Sequence, residues 1–482
     1  MSGAAHAHSQ AMHFHARADE KLRNPVLQGA LRKARPLFVG KRVKGMQSLA
    51  EDGLDFAEMR DAAAEIRQRV LENLDVWLTQ FEQNAQARGA EVLWARDGEE
   101  VARLVVELAR QHGVRKVTKS KSMLSEEARL NEALLAAGIQ PVETDLGEYI
   151  VQLAGEPPSH IIAPAVHKTI GEVETLFASA HQRPTQTRTS ADIPAMAQEA
   201  RAVLREHFLT ADMGISGANF LIAETGSAAL VTNEGNGRMV TTLPRIHVVI
   251  TGIEKILPTL TDFATLMRLL PRSATGQSIS NYVSLLTGTR GADEQEGPQK
   301  AVFILVDNGR ADLLGSAWES MLRCIRCGAC MNHCPVYFSL GGHAYGWVYP
   351  GPMGSVLTPL YTGIENALDL PHATTGCGQC AAVCPVGIPL TGLMRELRKT
   401  QIERRLRPRS ERLGWRVWAW LAQRPRLYHW LSRRAARYLA WLADADGRIR
   451  LLGLAPGWST GRDLPTGGGR TFQELYAARR GK

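Results

Sequence analysis

Apolar and polar positions alternate in two ways between residues 55 and 310. From Asp55 to Arg88 apolar residues recur at helical spacing, and the pattern ends at Gly89. Short apolar runs then predict strands at Glu91–Trp94, Val114–Val117, Ile139–Glu143, His160–Ala163, Phe220–Ala223, Ala228–Thr232, Ile246–Thr251 and Val302–Val306. Helices are predicted at Glu99–Gln111, Ser125–Ala137 and His167–Ser179, and a linker near Gln182–Ser190. Because strands and helices alternate, we expect an α/β domain with a largely parallel sheet covered by helices.

The C-terminal part of the chain differs in composition from this domain. Between Arg395 and Ala440 there are fourteen Arg and Lys residues against three Glu, so the remainder is close to neutral in a chain of net charge +9. Six of the ten tryptophans lie between Trp415 and Trp458. Basic helices with tryptophan are typical of membrane surfaces or acidic partners, and a helical cap whose arginine stems cover a core is the alternative. Since no nucleic-acid recognition module is visible, nucleic acid is not an expected partner.

The sequence has no run of eighteen apolar residues, and its N-terminus lacks the apolar core of a signal peptide. We therefore expect a cytoplasmic protein, and the basic region adds the expectation of a peripheral contact with the inner membrane surface. Four histidines, His6, His8, His13 and His15, mark the first twenty residues. For this stretch we expect a solvated, disordered tail, with a metal-binding tail as the alternative.

All seven cysteines lie between Cys324 and Cys384. The first run has the spacing C-x2-C-x2-C-x3-C-P, at Cys324, Cys327, Cys330 and Cys334, and the second has C-x2-C-x3-C-P, at Cys377, Cys380 and Cys384. The first spacing is that of bacterial iron–sulfur proteins, in which the fourth cysteine ligates the other cluster. Disulfide frameworks belong to small secreted chains, and a structural zinc site does not require the triple run or the two C-P endings. We therefore predict iron–sulfur clusters, which favour soft thiolate ligands.

Exchanging the last cysteine of each run assigns the ligands. Cluster one takes Cys324, Cys327, Cys330 and Cys384, and cluster two takes Cys334, Cys377 and Cys380. Thr374 stands where a fourth cysteine of the second run would be. Cluster two is therefore expected to be either a [4Fe–4S] cluster with a non-cysteine ligand or a [3Fe–4S] cluster.

Two polar stretches follow predicted strands, where open α/β sheets bind ligands. One combines Lys119–Met123 with Thr144–Tyr149, and the other combines Glu224–Ser227 with Asn233–Asn236. Their alternative role is turn formation and helix capping. Neither a G-x4-G-K-[ST] phosphate loop nor a G-x-G-x-x-G after a strand occurs, so no nucleoside triphosphate or Rossmann dinucleotide is expected. Glu224 is the one candidate for a carboxylate that contacts a substrate or cofactor.

These residues together resemble the lactate utilization protein B family, the iron–sulfur subunit of bacterial lactate utilization. The resemblance rests on Lys119–Met123, Asp145–Tyr149, Glu224–Gly226, Asp307–Gly309, Cys324–Pro335, Gly341–Gly354 and Cys377–Pro385. It covers most of the chain, apart from the histidine-rich start and the tail after Gly453. It implies a lactate-utilization α/β domain, similar to sugar isomerases and CoA transferases, followed by an α-helical ferredoxin-type domain with two [4Fe–4S] clusters.

The resemblance also implies a function and partners. The chain would be an electron-transfer subunit of a complex that oxidises L-lactate to pyruvate and so allows growth on lactate. Its partners would be a second cysteine-rich subunit and a smaller subunit with only the α/β domain. Two alternatives stay open, a redox-sensing or scaffold protein and an electron carrier for another acid such as glycolate or glycerol phosphate. The predicted parts are an N-terminal tail and lead-in (1–54), the α/β domain (55–310), the two-cluster domain (311–400) and the basic helical region (401–482).

Overall fold

The computed structural model describes residues 9–181, 192–450, 453 and 462–480. The chain divides into two units, residues 1–403 and residues 404–482. None of the helices in the described ranges combines the length and the apolar character needed to cross a lipid bilayer. The linker predicted at Gln182–Ser190 lies outside the described residues, as do His6, His8 and Trp458.

A six-stranded sheet, parallel throughout, forms the centre of the first unit. In spatial order its strands are β1 (Glu91–Ala95), β10 (Lys300–Val306), β7 (Ile246–Gly252), β4 (Met213–Ser216), β2 (Lys116–Lys119) and β3 (Gln140–Glu143). In the register Ile304 lies between Leu93 and Ile250. β7 is buried along its whole length, as expected for a parallel sheet with helices on both faces. Because the strands are parallel, their carboxyl ends share one edge of the sheet.

The first unit also contains a smaller mixed sheet. In spatial order its strands are β8 (Ile256–Leu257), β5 (Phe220–Ile222), β6 (Ser227–Thr232) and β9 (Tyr282–Leu286). β5 pairs in parallel with β8 and antiparallel with β6. A single turn of 3-10 helix, Ile253–Lys255, joins β7 to β8 and therefore ties the two sheets together closely.

Ten helices of the first unit pack on the two sheets and on one another. They are α3 (Phe56–Glu72), α4 (Leu74–Ala87), α5 (Gly98–Gln111), α6 (Met123–Glu127), α7 (Leu130–Ala136), α8 (Leu146–Ala154), α9 (Ile170–Ala180), α10 (Ile193–Thr210), α11 (Asn236–Thr242) and α12 (Leu260–Ala274). α5 shows why they form: Asp97 caps its start by accepting from Glu100 N at 2.9 Å, and its apolar residues recur every three or four positions. Val101 and Val105 of that face pack with Val248 in one core, and Tyr149 and Phe208 belong to a second core.

The cysteine-rich segment, which follows β10, consists mainly of short helices. It packs against the N-terminal helices of the chain. The former are α13 (Ala329–Asn332), α14 (Tyr337–Leu340), α15 (Gly351–Thr362), α16 (Gln379–Ala382) and α17 (Leu390–Glu403), and the latter are α1 (Phe14–Leu22) and α2 (Pro25–Glu51). Arg17 Nε donates to His343 O at 3.0 Å, and Gln28 Nε2 donates to Ser339 O at 2.7 Å. The first helices of the chain are thus part of the wall around the cysteines.

The second unit contains two basic helices, α18 (Arg409–Ala422) and α19 (Pro425–Trp441), neither of which has a buried residue. It also holds the short strands β11 (Arg448–Ile449) and β12 (Leu464–Pro465) and a last helix, Phe472–Arg480. Two arginines stack on tryptophans, Arg424 over Trp420 at 4.1 Å and Arg434 over Trp430 at 4.3 Å. These two pairs are local in the sequence and are exposed to solvent.

The expected fold class is confirmed, with an α/β domain, a helical cysteine-rich segment and a basic helical end. The strand predicted at His160–Ala163 is wrong, because His160 Nδ1 accepts from the amides of Ile162 and Ala163 and folds them into a turn. The helical pattern over Asp55–Arg88 forms two helices that break at Asn73. The helix predicted at Ser125–Ala137 also breaks, at Arg129, whose φ of 49° is left-handed. Residues 14–51 form helices where a tail and lead-in were expected.

Candidate functional site

The two cysteine runs are built in the same way. Cys327 and Cys377 are each followed by a glycine in the left-handed region, Gly328 at φ 74° and Gly378 at φ 78°. Each glycine opens a one-turn helix, α13 or α16, that carries the next cysteine of its run. Glycine adopts this conformation without the steric cost that a Cβ imposes. The repeated turn therefore places neighbouring thiols of each run on one side of the chain.

Cysteines of the two runs lie near one another, and Cys330 of the first run interacts with Cys380 as well as with Cys384 of the second. Cys384 of the second run interacts electrostatically with Cys327 and Cys330, and Cys324 interacts with Cys384. Cys334 of the first run interacts in the same way with Cys377 and Cys380. Backbone amides also point at the crossing sulfurs, since Tyr337 N lies 3.5 Å from Cys334 Sγ and Ile388 N lies 3.4 Å from Cys384 Sγ.

The thiols of the two groups differ in burial. Burial, together with Cys384, raises the pKa of Cys327 to about 12, and burial raises the pKa of Cys384 to about 11. Cys377 is exposed, and hydrogen bonds from the Thr375 hydroxyl and the Gln379 amide lower the pKa of its thiol. All seven cysteines are free. Free, converging thiols whose thiolate form is costly without a compensating cation are the donor set that a metal cluster requires.

Cations surround the first group, which we define as Cys324, Cys327, Cys330 and Cys384. The five that interact electrostatically with these cysteines are Arg42, Arg67, Lys255, Arg323 and Arg326. Backbone carbonyls hold three of them: Lys255 Nζ donates to Cys324 O at 3.3 Å, Arg42 Nη2 to Val383 O at 3.0 Å, and Arg67 Nη2 to Leu322 O at 3.1 Å. The second group, Cys334, Cys377 and Cys380, has Arg35 in a comparable role.

A cavity of about 490 Å³ lies over the carboxyl ends of five strands of the main sheet, and we call it the strand-end cavity. Its lining from these ends is Ser120–Ser122 after β2, Asp145 after β3, Gly217–Asn219 after β4, Thr251, Gly252, Glu254 and Lys255 at β7, and Arg310 after β10. Ile325 and Arg326, which lie between the first two cysteines, line the same cavity. The location is the one where open α/β sheets bind ligands, and one wall is formed by the two residues that follow Cys324.

Buried ion pairs join the sheet to the cysteine-rich segment beside this cavity. Arg310 donates from Nε to Glu254 Oε2 at 2.8 Å and from Nη2 to Glu127 Oε1 at 2.9 Å. Arg326 Nη2 lies 3.6 Å from Glu254 Oε1, and its guanidinium lies 4.7 Å from the centre of the Tyr349 ring. Burial alone would raise the pKa of Glu254, but Arg310 and the other cations hold it at about 2. Glu254 is therefore ionised at neutral pH.

Three residues of the cavity lining carry a buried polar atom that has no hydrogen-bond partner among the described residues. These atoms are Lys121 Nζ, Thr251 Oγ1 and Glu254 Oε1. Lys121 Nζ lies 3.7 Å from Glu148 Oε1, which is too long for a full hydrogen bond. Burial lowers the pKa of Lys121 and raises the pKa of Glu148 to about 8. Because leaving buried polar groups unpaired costs free energy, these atoms indicate a place for a polar ligand.

Glu224 lies elsewhere. It is exposed and does not line the strand-end cavity. Its Oε2 accepts from Leu260 N at 2.8 Å, at the start of α12, which is the geometry of the capping alternative. Its proposed contact with a substrate or cofactor stays a prediction.

Several residues of this region were named from the sequence and others were missed. Lys119–Met123 and Asn233–Asn236 do meet at the strand-end cavity, although Lys119 itself is satisfied by Glu143 at 2.6 Å. Sequence reasoning missed Thr251, Glu254, Lys255, Arg310 and Arg326. The first four end or follow predicted strands, so the rule that ligands bind at strand ends could have found them. Arg326 lies inside the first cysteine run and follows no predicted strand, so this rule could not have found it.

Comparison with known proteins agrees with this organisation. Residues 78–306 match the LUD domain, residues 320–388 the 4Fe-4S dicluster domain, and residues 398–481 the C-terminal domain of lactate utilisation protein B. Lactate utilization protein B of Bacillus subtilis strain 168 is 39% identical over 468 residues, which cover 97% of this chain and 96% of that protein. Its Bacillus licheniformis counterpart is 40% identical over 473 residues, 97% of each chain. The uncharacterized electron transport protein YkgF of Escherichia coli K12 is 39% identical over 463 residues, 96% of each chain. The cysteine-rich segment is therefore an iron–sulfur domain.

Proposed function

Because this chain belongs to the lactate utilization protein B family, we propose that it is the iron–sulfur electron-transfer subunit of a complex that oxidises L-lactate to pyruvate. The observation that carries this proposal is the different placement of the two cysteine groups. The first has no exposed cysteine and adjoins the strand-end cavity through Ile325 and Arg326, whereas the second includes the exposed Cys377. Such a placement suits a path for electrons between the interior of the α/β domain and a partner protein at the surface.

We expect the two groups to hold two clusters. Cys324, Cys327, Cys330 and Cys384 would hold one [4Fe–4S] cluster, and Cys334, Cys377 and Cys380 the other. Iron–sulfur clusters supply one-electron transfer when they are bound. Thr374, half-buried, uses its hydroxyl to accept from Gly376 N at 3.0 Å and so keeps the loop before Cys377 folded. The second cluster would then have a non-cysteine fourth ligand or be a [3Fe–4S] cluster.

The surrounding charge gives the two groups different roles. Four arginines interact with the first group, together with Lys255, whose pKa burial lowers to about 7, and Arg35 interacts with the second. Positive charge near a cluster favours its more negative, reduced form, so we expect the first group to give the higher reduction potential. The exposed second group would exchange electrons with a partner. The proposed partners are a second cysteine-rich subunit and a smaller subunit that carries only the α/β domain.

Electron paramagnetic resonance of the anaerobically purified chain, mixed with both partners, tests this function. L-lactate releases two electrons when it becomes pyruvate, so adding it should produce the spectrum of reduced clusters, and omitting either partner should prevent this. Glycolate and glycerol phosphate, at the same concentration, serve as comparison substrates. Clusters that stay oxidised with L-lactate but become reduced with glycolate would contradict the proposal and favour a carrier for another acid. Clusters that no acid reduces would favour the scaffold or sensor alternative.

A further inference from the structure

The strand-end cavity has the composition of a binding site for a small organic anion. The charged residues of its lining are the cations Lys41, Lys121, Lys255, Arg310 and Arg326 against the acids Asp145, Glu234 and Glu254. Arg310 is fully engaged by Glu127 and Glu254, whereas Lys121 Nζ donates no hydrogen bond to a described residue. Glu148 Oε1, at 3.7 Å, is too far from Lys121 Nζ for a full hydrogen bond, so an incoming carboxylate would supply the missing acceptor in a charge-assisted hydrogen bond, which is among the strongest that proteins make.

The other two unpartnered atoms of this cavity call for a ligand that can donate. Glu254 is ionised, so its Oε1, which lies 3.6 Å from Arg326 Nη2 without a hydrogen bond, can only accept, and the Thr251 hydroxyl can donate and accept. A hydroxyl group beside a carboxylate would satisfy both requirements. Apolar residues, among them Ile161, Ile250 and Ile325, line the same space and suit a short alkyl group.

We propose that the strand-end cavity binds the anion of a 2-hydroxy acid, with its carboxylate at Lys121 and its hydroxyl at Thr251 and Glu254. The identity of the acid, L-lactate, rests on the proposed function. The location of its binding site rests on the lining of the cavity. Arg326 has a left-handed backbone with φ 57°, and lies between Cys324 and Cys327 with its side chain against Glu254. The Arg326 side chain would therefore lie between the bound acid and the first cysteine group. The cavity exceeds the volume of such an acid, and ordered water would fill the rest.

Thr251→Val is the sharpest test, because valine keeps the shape and removes a hydroxyl that has no protein partner. Thr118→Val is its matched control: Thr118 lies on β2, is fully buried, also has an unpartnered hydroxyl, and does not line the cavity. Neither change should reduce stability, since each removes an unsatisfied buried group. Lys121→Gln tests the cation independently. The full chain, purified anaerobically with its clusters and without partners, is titrated with sodium L-lactate, and ligand-induced thermal stabilisation gives the affinity.

L-lactate should stabilise the unaltered chain and the Thr118→Val variant with equal affinity. Thr251→Val and Lys121→Gln should each weaken binding about tenfold or more, and acetate should bind more weakly than L-lactate because it has no hydroxyl. Sodium chloride at equal ionic strength corrects for salt, and iron content without ligand confirms intact clusters. Unchanged affinity in both cavity variants, no binding of L-lactate, or preferred binding of inorganic phosphate or flavin mononucleotide would overturn the proposal. Cluster reduction by lactate with partners present, but no lactate binding here, would refute this site and leave the proposed function standing.

Discussion

Arg310→Met should strongly destabilise the first unit, because Arg310 joins the sheet to the cysteine-rich segment. Its side chain is 2% exposed and forms ion pairs with Glu127 and Glu254 at 2.9 and 2.8 Å. Its guanidinium also lies 4.9 Å from the centre of the Tyr361 ring. Methionine fills similar space without charge and leaves two buried carboxylates facing each other.

The size of the effect can be worked out in two ways. Removing one partner of a buried ion pair costs about 3–5 kcal/mol. Independently, the pKa of Glu254 falls from 4.5 to about 2 in the folded chain, which corresponds to roughly 3 kcal/mol of charge stabilisation. Lys255 and Arg326 retain part of that stabilisation in the variant. We therefore expect Arg310→Met to lower the free energy of unfolding by about 3 kcal/mol.

Equilibrium urea denaturation of the anaerobic protein, followed by circular dichroism, measures this loss. Arg69→Met is the matched control, because Arg69 is 48% exposed and its pair with Asp262 should contribute less than about 1 kcal/mol. The Glu254 contribution is present above its unfolded pKa and is lost as pH falls toward about 2. The difference between the unaltered chain and Arg310→Met should therefore shrink below pH of about 4.5. Equal losses in the two arginine variants, or a difference independent of pH, would refute the reasoning.

Three further predictions concern the clusters, the capping carboxylate and the basic unit. Cys384→Ser should remove the cluster of the first cysteine group, and Cys334→Ser should remove that of the second. Iron content and paramagnetic resonance measure both losses. If each variant instead lost the cluster formed by the run in which the substituted cysteine lies, the ligands would not cross. Glu224→Gln should cost no more than about 1 kcal/mol and preserve lactate-dependent reduction, because Glu224 caps α12, and lost reduction with intact clusters would restore its functional role. A chain that ends after Glu403 should keep its iron but lose salt-sensitive binding to the partners in co-purification, since the exposed arginines and tryptophans lie beyond it, and unchanged binding would assign that unit a structural role.

The sequence predicted those parts of the fold whose signals are local. β7 and β10 are apolar along nearly their whole length, and periodicity located them within two residues. α2 was missed because its apolar residues lack a clear face and Pro36 lies inside it. β4 was missed because Met-Gly-Ile-Ser is short and begins directly after a helix. At His160–Ala163 a side chain overrode the apolar pattern by accepting two backbone amides, which no propensity describes.

The candidate site also has one part with a local sequence signal and one part that depends on tertiary contacts. Cysteine spacing is a local signal, and it located all seven thiols of the iron–sulfur domain, whereas their division between two clusters stays a prediction. The strand-end cavity depends on contacts between distant parts of the chain, such as Lys255 with Cys324 O, 69 residues later. Sequence alone places residues such as Thr251 and Arg310 at strand ends. It does not show that their strands are neighbours or which buried atoms lack partners.

The packing of α1 and α2 on the cysteine-rich segment has a consequence for biosynthesis. Arg17 donates to the carbonyl of His343, 326 residues further along the chain. At ribosomal rates of about 5–20 residues per second, α1 waits roughly 15–65 s before the segment around His343 has been made. During that time the apolar side of α1, with Phe14, has no native surface to cover it. The first helix of the chain therefore docks on its native surface only after most of the first unit has been synthesised.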